Sequence, residues 1–192
     1  HSRPPRPARP ERRELEDAVT GTRIALHTGF RIGLVDPRVF GGFLEHIGRV
    51  VYEGVYEPGS RHANEQGYRR DVLAALKRLD MTAIRYPGGN FASGYHWLDG
   101  VGPKEARPTV RELAWQSIET NRFGTDEFIA LCRQMGWTPM LTANLGTGTP
   151  EEARNWVEYC NCPAGTRYAD MRAANGWREP HAVKLWCLGN EM

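Results

Sequence analysis

Short apolar runs bounded by turn residues alternate along this chain with longer stretches whose apolar side chains recur every three or four positions. That alternation restricts the fold to a parallel sheet crossed by helices. Residues 39–47, Val-Phe-Gly-Gly-Phe-Leu-Glu-His-Ile, read as a buried strand softened by glycine. Between residues 68 and 79, Val72, Leu73, Leu76 and Leu79 form one stripe at helical spacing, with Arg69, Arg70, Lys77 and Arg78 mostly outside it. A short strand over residues 82–87 ends in Pro87-Gly88-Gly89, a strong turn signal. Thr125 is placed to cap a helix opened by Asp126 and Glu127, with Phe128, Ile129, Cys132 and Met135 on its apolar face and Gly136 at its end. After a strand over residues 139–144, Thr149-Pro150-Glu151-Glu152 combines a capping Thr, a first-turn Pro and a Glu three residues after the cap. Ala153, Trp156, Val157 and Cys160 complete that helix's stripe, and a closing strand begins at Val183. Upstream, residues 23–33 alternate weakly, and residues 23–36 are expected to form a separate N-terminal strand segment.

Composition sets the outer limits. A chain of 192 residues with 40% hydrophobic content can bury a core of its own. Its 25 Lys+Arg against 23 Asp+Glu leave a net charge of +2, too little to argue for a nucleic-acid partner. Much of the excess sits at the start, where Arg3, Arg6, Arg9, Arg12 and Arg13 mingle with Pro4, Pro5, Pro7 and Pro10. Such a segment lacks the apolar side chains needed to offset backbone ordering, so residues 1–22 are expected to be a disordered basic tail. It has no apolar stretch of the secretory kind, and no run approaches the roughly 20 apolar residues of a membrane span. A soluble, cytoplasmic protein with no membrane partner is the expectation. Cys132, Cys160, Cys162 and Cys187 fall mostly at apolar positions, which favours reduced thiols. Cys160-Asn161-Cys162 is not a zinc spacing and the six histidines are scattered, so neither a metal nor a cofactor is expected.

Two architectures accommodate strict β/α alternation: an open doubly wound sheet and a (β/α)₈ barrel. The turn after the first strand lacks Gly-x-Gly-x-x-Gly, no phosphate loop with Lys-Ser or Lys-Thr exists, and Gly100-Val101-Gly102 and Gly146-Thr147-Gly148 are better read as flexible loops. Polar residues recur instead at strand ends: Glu45 and His46, Arg85 and Asn90, Asn144, then Asn190 and Glu191. A ring of this kind is what a barrel mouth requires. The expected fold is α/β, the first half of a (β/α)₈ TIM barrel over residues 37–192, truncated after strand four.

At those strand ends the chain resembles a known family. Phe43-Leu44-Glu45-His46-Ile47-Gly48-Arg49, Arg85-Tyr86-Pro87-Gly88-Gly89-Asn90-Phe91, Glu119-Thr120-Asn121-Arg122-Phe123-Gly124, Asn155-Trp156-Val157-Glu158-Tyr159-Cys160-Asn161 and Lys184-Leu185-Trp186-Cys187-Leu188-Gly189-Asn190-Glu191-Met192 together resemble the intracellular α-L-arabinofuranosidases of glycoside hydrolase family 51. The resemblance runs from about Val39 to Met192. It implies a retaining hydrolase, without cofactor, that releases terminal α-L-arabinofuranosyl residues from oligosaccharides or polysaccharides, and that has a tendency to form homo-oligomers. By the same resemblance Glu191 is the general acid/base, Glu45, Arg85, Asn90 and Asn190 hold the sugar, Trp115 lines the pocket entrance, and the nucleophilic Glu follows a strand this chain does not contain. The isolated chain is therefore expected to be inactive.

Physical chemistry agrees with these roles. An acid/base must give a proton to the leaving oxygen and then take one from water. Asn90 and Asn190 each offer a donor and an acceptor, which sugar hydroxyls need, and Glu45 can accept from two hydroxyls. Arg85 suits a nucleophilic carboxylate, and without one would be a costly buried cation. His46 reads as a hydrogen-bonding group behind the site rather than a metal ligand. In a regular strand Asn190 and Glu191 face opposite ways, so the backbone is expected to turn or bulge between Gly189 and Glu191. Two other readings stay open: a same-family endoglucanase with an open cleft, and a non-catalytic half-barrel that pairs with a second copy through its exposed strand edges.

Overall fold

The computed structural model describes residues 24–191. The expected tail over residues 1–22 lies outside the described residues. The chain divides into a unit ending at Val35 and a unit beginning at Asp36. In the first, the described residues are exposed and contain a turn at Thr28 and Gly29 but no strand. Residues 24–33, the described part of the weakly alternating stretch, make no strand pairing among the described residues.

The second unit is built on a four-stranded, wholly parallel sheet in the order β1-β2-β5-β6. Its elements in chain order are β1 (Gly42–Phe43), α1 (Arg70–Lys77), β2 (Ala83–Tyr86), an antiparallel hairpin of β3 (Val110–Arg111) and β4 (Ile118–Glu119), α2 (Thr125–Met135), β5 (Thr138–Ala143), α3 (Pro150–Asn161), α4 (Arg167–Ala174) and β6 (Leu185–Leu188). The hairpin and α4 had no clear sequence signature. β1 is shorter than the apolar run at residues 39–47 suggested, because Asp36 caps a 3-10 turn over Pro37–Phe40 that consumes the start of that run. Pairing nevertheless continues past Phe43, with Leu44 N donating to Arg85 O at 2.8 Å and His46 N to Pro87 O at 3.2 Å.

Register places Phe43, Arg85, Met140 and Leu185 side by side across the sheet. The opposite face carries Ile84, Tyr86 and Leu141, all buried, and receives the helices. Tyr86 stacks on Phe128 of α2 at 4.6 Å, and Trp186 meets Trp156 of α3 edge-on at 5.5 Å. Such aromatic pairs join dispersion to a favourable quadrupole arrangement. Trp156 and Trp186 are thus core residues, as their helical and strand positions implied.

Helix termini show where local chemistry was sufficient. Thr149 caps α3, its hydroxyl accepting from Glu152 N at 3.1 Å with Pro150 in the first turn. Gly136 ends α2 in the left-handed region at φ +73°. Thr125, by contrast, does not cap α2. Gly124 takes that position, Glu127 Oε2 accepts from Gly124 N at 2.9 Å, and the Thr125 hydroxyl is occupied by Trp156 Nε1 at 3.0 Å. A buried indole N–H must find an acceptor, and Thr125 is the one within reach. Leu79, expected on the α1 stripe, is exposed because the helix ends at Lys77 and the backbone reverses at Asp80, φ +52°. All four cysteines are free thiols.

Candidate active site

Three strands deliver the polar residues to one end of the sheet. Arg85 stands near the end of β2, on the same face as Phe43 and Thr142. Its Nε donates to Thr142 Oγ1 at 2.9 Å, its Nη2 donates to Gly88 O at 3.1 Å and to Asn190 Oδ1 at 2.6 Å, and its guanidinium lies 4.8 Å from the centroid of the Phe43 ring. The buried-cation problem anticipated from sequence does not arise, because neutral acceptors and an aromatic face surround the half-buried group.

Glu45 follows β1. Its Oε1 accepts from Gly89 N at 3.0 Å and Phe91 N at 3.3 Å. One of the two oxygens expected to meet sugar hydroxyls is therefore bound to the loop after β2. The approach is tight: a Cβ on Gly88 would sit 2.5 Å from Glu45 Cγ, and Gly88 has φ +154°. The Pro87-Gly88-Gly89 signal read as a turn is thus also a cradle for a carboxylate.

The strand end at β6 turns as its alternation required. β6 stops at Leu188, Gly189 has φ +81° and Glu191 φ +49°. Asn190 reaches Arg85 through Oδ1 and donates from Nδ2 to Asn90 Oδ1 at 3.1 Å. Glu191 is exposed and lines a cavity of about 440 Å³ together with Asn90, Asn190, Ser93, Gly94, Leu113, Ala114, Gly146 and Thr147. Among the described residues it is the one carboxylate on that wall. Trp115 is partly exposed on the loop joining β3 to β4, beside the lining residues Leu113 and Ala114, but its indole is not part of the wall.

Asn144, another strand-end polar residue, is consumed by its own turn. Its Oδ1 accepts from Gly146 N and Thr147 N at 3.0 Å each, and its Nδ2 donates to Tyr95 O at 3.1 Å and Thr147 Oγ1 at 3.0 Å. No group of three His, Cys, Asp or Glu among the described residues is arranged to hold a metal.

Behind Glu45, His46 is buried with Nε2 2.9 Å from Tyr86 OH and Nδ1 2.8 Å from Glu119 Oε2, and its ring stacks on Phe91 at 4.6 Å. Glu119 also accepts from Tyr52 OH and from Asn121 N, the latter at 2.6 Å. Burial pushes the Glu119 carboxyl upward, but the hydrogen bonds and charge of His46, with Tyr52 and the Asn121 amide, outweigh it and hold the group below its ordinary value.

Sequence comparison decides the family. The profile of the α-L-arabinofuranosidase 1 domain matches residues 75–192. The chain belongs to the α-L-arabinofuranosidase family. A probable α-L-arabinofuranosidase C of Aspergillus flavus is 54% identical over 88% of this chain and 33% of its own length. An intracellular exo-α-(1→5)-L-arabinofuranosidase of Halalkalibacterium halodurans is 50% identical over 85% of this chain and 33% of its own. A solved family 51 α-L-arabinofuranosidase from Bifidobacterium longum, 50% identical, superposes with a TM-score of 0.80 over 82% of this chain and 31% of its own. The chain spans about a third of the length of these arabinofuranosidases.

Within this family frame, sequence reasoning missed Glu119 and also Glu112, a buried carboxylate that accepts from Ala114 N at 2.7 Å and Ser117 N at 2.8 Å and so holds the loop between β3 and β4. Glu119-Thr120-Asn121 carried part of the resemblance, yet nothing local distinguished Glu119 from a surface carboxylate; only its juxtaposition with His46, 73 positions earlier in the chain, gives it a role. Asp126, His181 and Tyr159 form a second buried group, Asp126 binding His181 Nε2 and Tyr159 OH at 2.8 Å each. It ties α2, α3 and the segment before β6 together, away from the cavity.

Proposed function

We propose that this chain carries the acid/base part of a retaining α-L-arabinofuranosidase site, on what is the first half of a (β/α)₈ barrel. The observation that carries the reading is the chain of contacts Arg85–Asn190–Asn90, which joins the ends of β2 and β6 and sets Glu191 beside it on the cavity wall. Family membership supplies the chemistry. Glu191 protonates the glycosidic oxygen as the bond to the terminal arabinofuranosyl group breaks, and later removes a proton from the incoming water. Asn90 and Asn190 present amides to the furanose hydroxyls, Glu45 offers its free oxygen, and Arg85 orients Asn190 while contributing positive charge. Trp115 shields the entrance. The attacking carboxylate comes from beyond these 192 residues, so the chain alone does not turn over. The substrate is an arabinose-containing oligosaccharide or polysaccharide and the setting is cytoplasmic.

The test is hydrolysis of an aryl α-L-arabinofuranoside by the complete enzyme polypeptide. Glu191→Gln should lower kcat by about 10²–10⁴-fold. An unchanged rate removes the assignment, as does turnover by residues 1–192 alone.

A further inference from the structure

Glu45, Arg85 and Asn90 stand on separate stretches of chain, yet each is followed by a member of one buried group. His46 follows Glu45, Tyr86 follows Arg85 and Phe91 follows Asn90. His46 Nε2 lies 2.9 Å from Tyr86 OH, and its ring stacks on Phe91 with centroids 4.6 Å apart and planes 17° from parallel. Glu119 completes the group, its Oε2 2.8 Å from His46 Nδ1. Because Glu119 also accepts from Tyr52 OH and Asn121 N, the imidazole is tied to the β3–β4 hairpin as well as to the sheet.

We propose that His46, held by Glu119, is a positioning residue for sugar binding, which aims the Glu45 carboxylate and the Asn90 amide without touching substrate. The inference rests on the arabinofuranosidase reading of those two side chains. Two routes lead from the imidazole to them. The first runs through Phe91, whose ring packs on His46 while its N donates to Glu45 Oε1 at 3.3 Å, beside Gly89 N at 3.0 Å. Fixing that oxygen sets the direction of the free one, and the Phe91 peptide also carries Asn90. The second runs through the backbone, where His46 N donates to Pro87 O at 3.2 Å and pins the end of β1 to the turn that holds Gly88 and Gly89. The ring itself has little freedom. Tyr86 OH donates to Phe123 O at 3.1 Å, so the phenol that meets His46 Nε2 is anchored too, and a buried polar network of this kind favours one arrangement. Arg85 is held separately, by Thr142, Gly88 and Asn190, and Glu191 is carried by the turn after β6. The Glu45–Asn90 side of the site is therefore the part that depends on His46.

The experiment uses the complete enzyme, with L-arabinose as a binding probe and an aryl α-L-arabinofuranoside as substrate. His46→Gln keeps a polar side chain but removes the ring that stacks on Phe91. It should raise the arabinose Kd and the substrate KM about five- to twentyfold and leave kcat within about threefold, because contacts to the sugar are weakened in ground and transition states alike. A role in folding alone would instead lower the melting temperature and the yield of active enzyme with KM unchanged, the pattern expected of Thr149→Ala. Tyr52→Phe removes one donor to Glu119 and is the milder change. It should raise KM about two- to threefold, and it decides the question if His46→Gln does not fold. Unchanged arabinose affinity in the folded variant, or a loss of kcat without a change in KM, overturns the positioning role while leaving the arabinofuranosidase reading intact. A wild-type enzyme that neither binds arabinose nor cleaves the arabinoside overturns that reading instead.

Discussion

Arg85 and Asn190, 105 positions apart in the chain, meet at 2.6 Å across the intervening strand β5. The contact couples the loop-bearing end of β2 to the turn that presents Glu191. It also explains why the β6 turn is fixed although Gly189 permits many conformations.

Arg85→Lys should cost about 2 kcal/mol of stability, read as a lower urea midpoint with an unchanged slope. Lysine keeps the charge, but a single ammonium cannot serve Thr142, Gly88 and Asn190 in the planar fork that guanidinium provides, nor lie flat against Phe43. A variant as stable as the parent would show that these contacts are dispensable.

Glu119 makes stability depend on pH. Its carboxyl is held below the ordinary 4.5 in the folded protein, so the unfolded chain takes up the proton first as pH falls. The stabilisation is therefore complete above about 4.5 and is lost as pH drops through the lower, folded value. Urea unfolding between pH 3 and pH 7, roughly that window, should show the decline, and Glu119→Gln should flatten it while costing about 2–4 kcal/mol at neutral pH. A parallel acid decline in the variant would assign the effect to other carboxylates.

At Gly124 the limiting factor is space. A Cβ there would lie 1.9 Å from Gly100 O and 2.8 Å from Gly100 Cα. Because both atoms belong to backbone, no side chain can swing aside. Gly124→Ala should therefore destabilise by about 2–4 kcal/mol, a melting temperature lower by several degrees in calorimetry. The backbone at Gly124 is extended, φ −136°, so a large effect would be steric rather than conformational.

The cap of α3 offers a local test. Thr149→Ala removes the hydroxyl that accepts from Glu152 N and should cost about 1 kcal/mol, whereas Thr149→Ser should be nearly neutral. Equal losses in both variants would mean that the threonine methyl, not the hydroxyl, matters.

What was legible in the sequence was local or periodic. The parallel sheet followed from alternation, α3's start from Thr149-Pro150, α2's end from Gly136, and the turn at Gly189–Glu191 from the requirement that two adjacent side chains share one wall. Expectations failed where a partner came from elsewhere: Thr125 lost its capping role to an indole 31 residues away, and Glu45 gave one oxygen to the loop after β2.

The sequence by itself determined the family, the β/α order and the residue types gathered at the strand ends, because each depends on periodicity or on contiguous motifs. Tertiary structure alone decided that Arg85 is satisfied by Asn190, that Glu119 stands behind His46, and that Glu112 shapes a wall of the cavity. Those pairings depend on which side chains the fold brings within hydrogen-bond reach, and separation along the chain does not encode that distance.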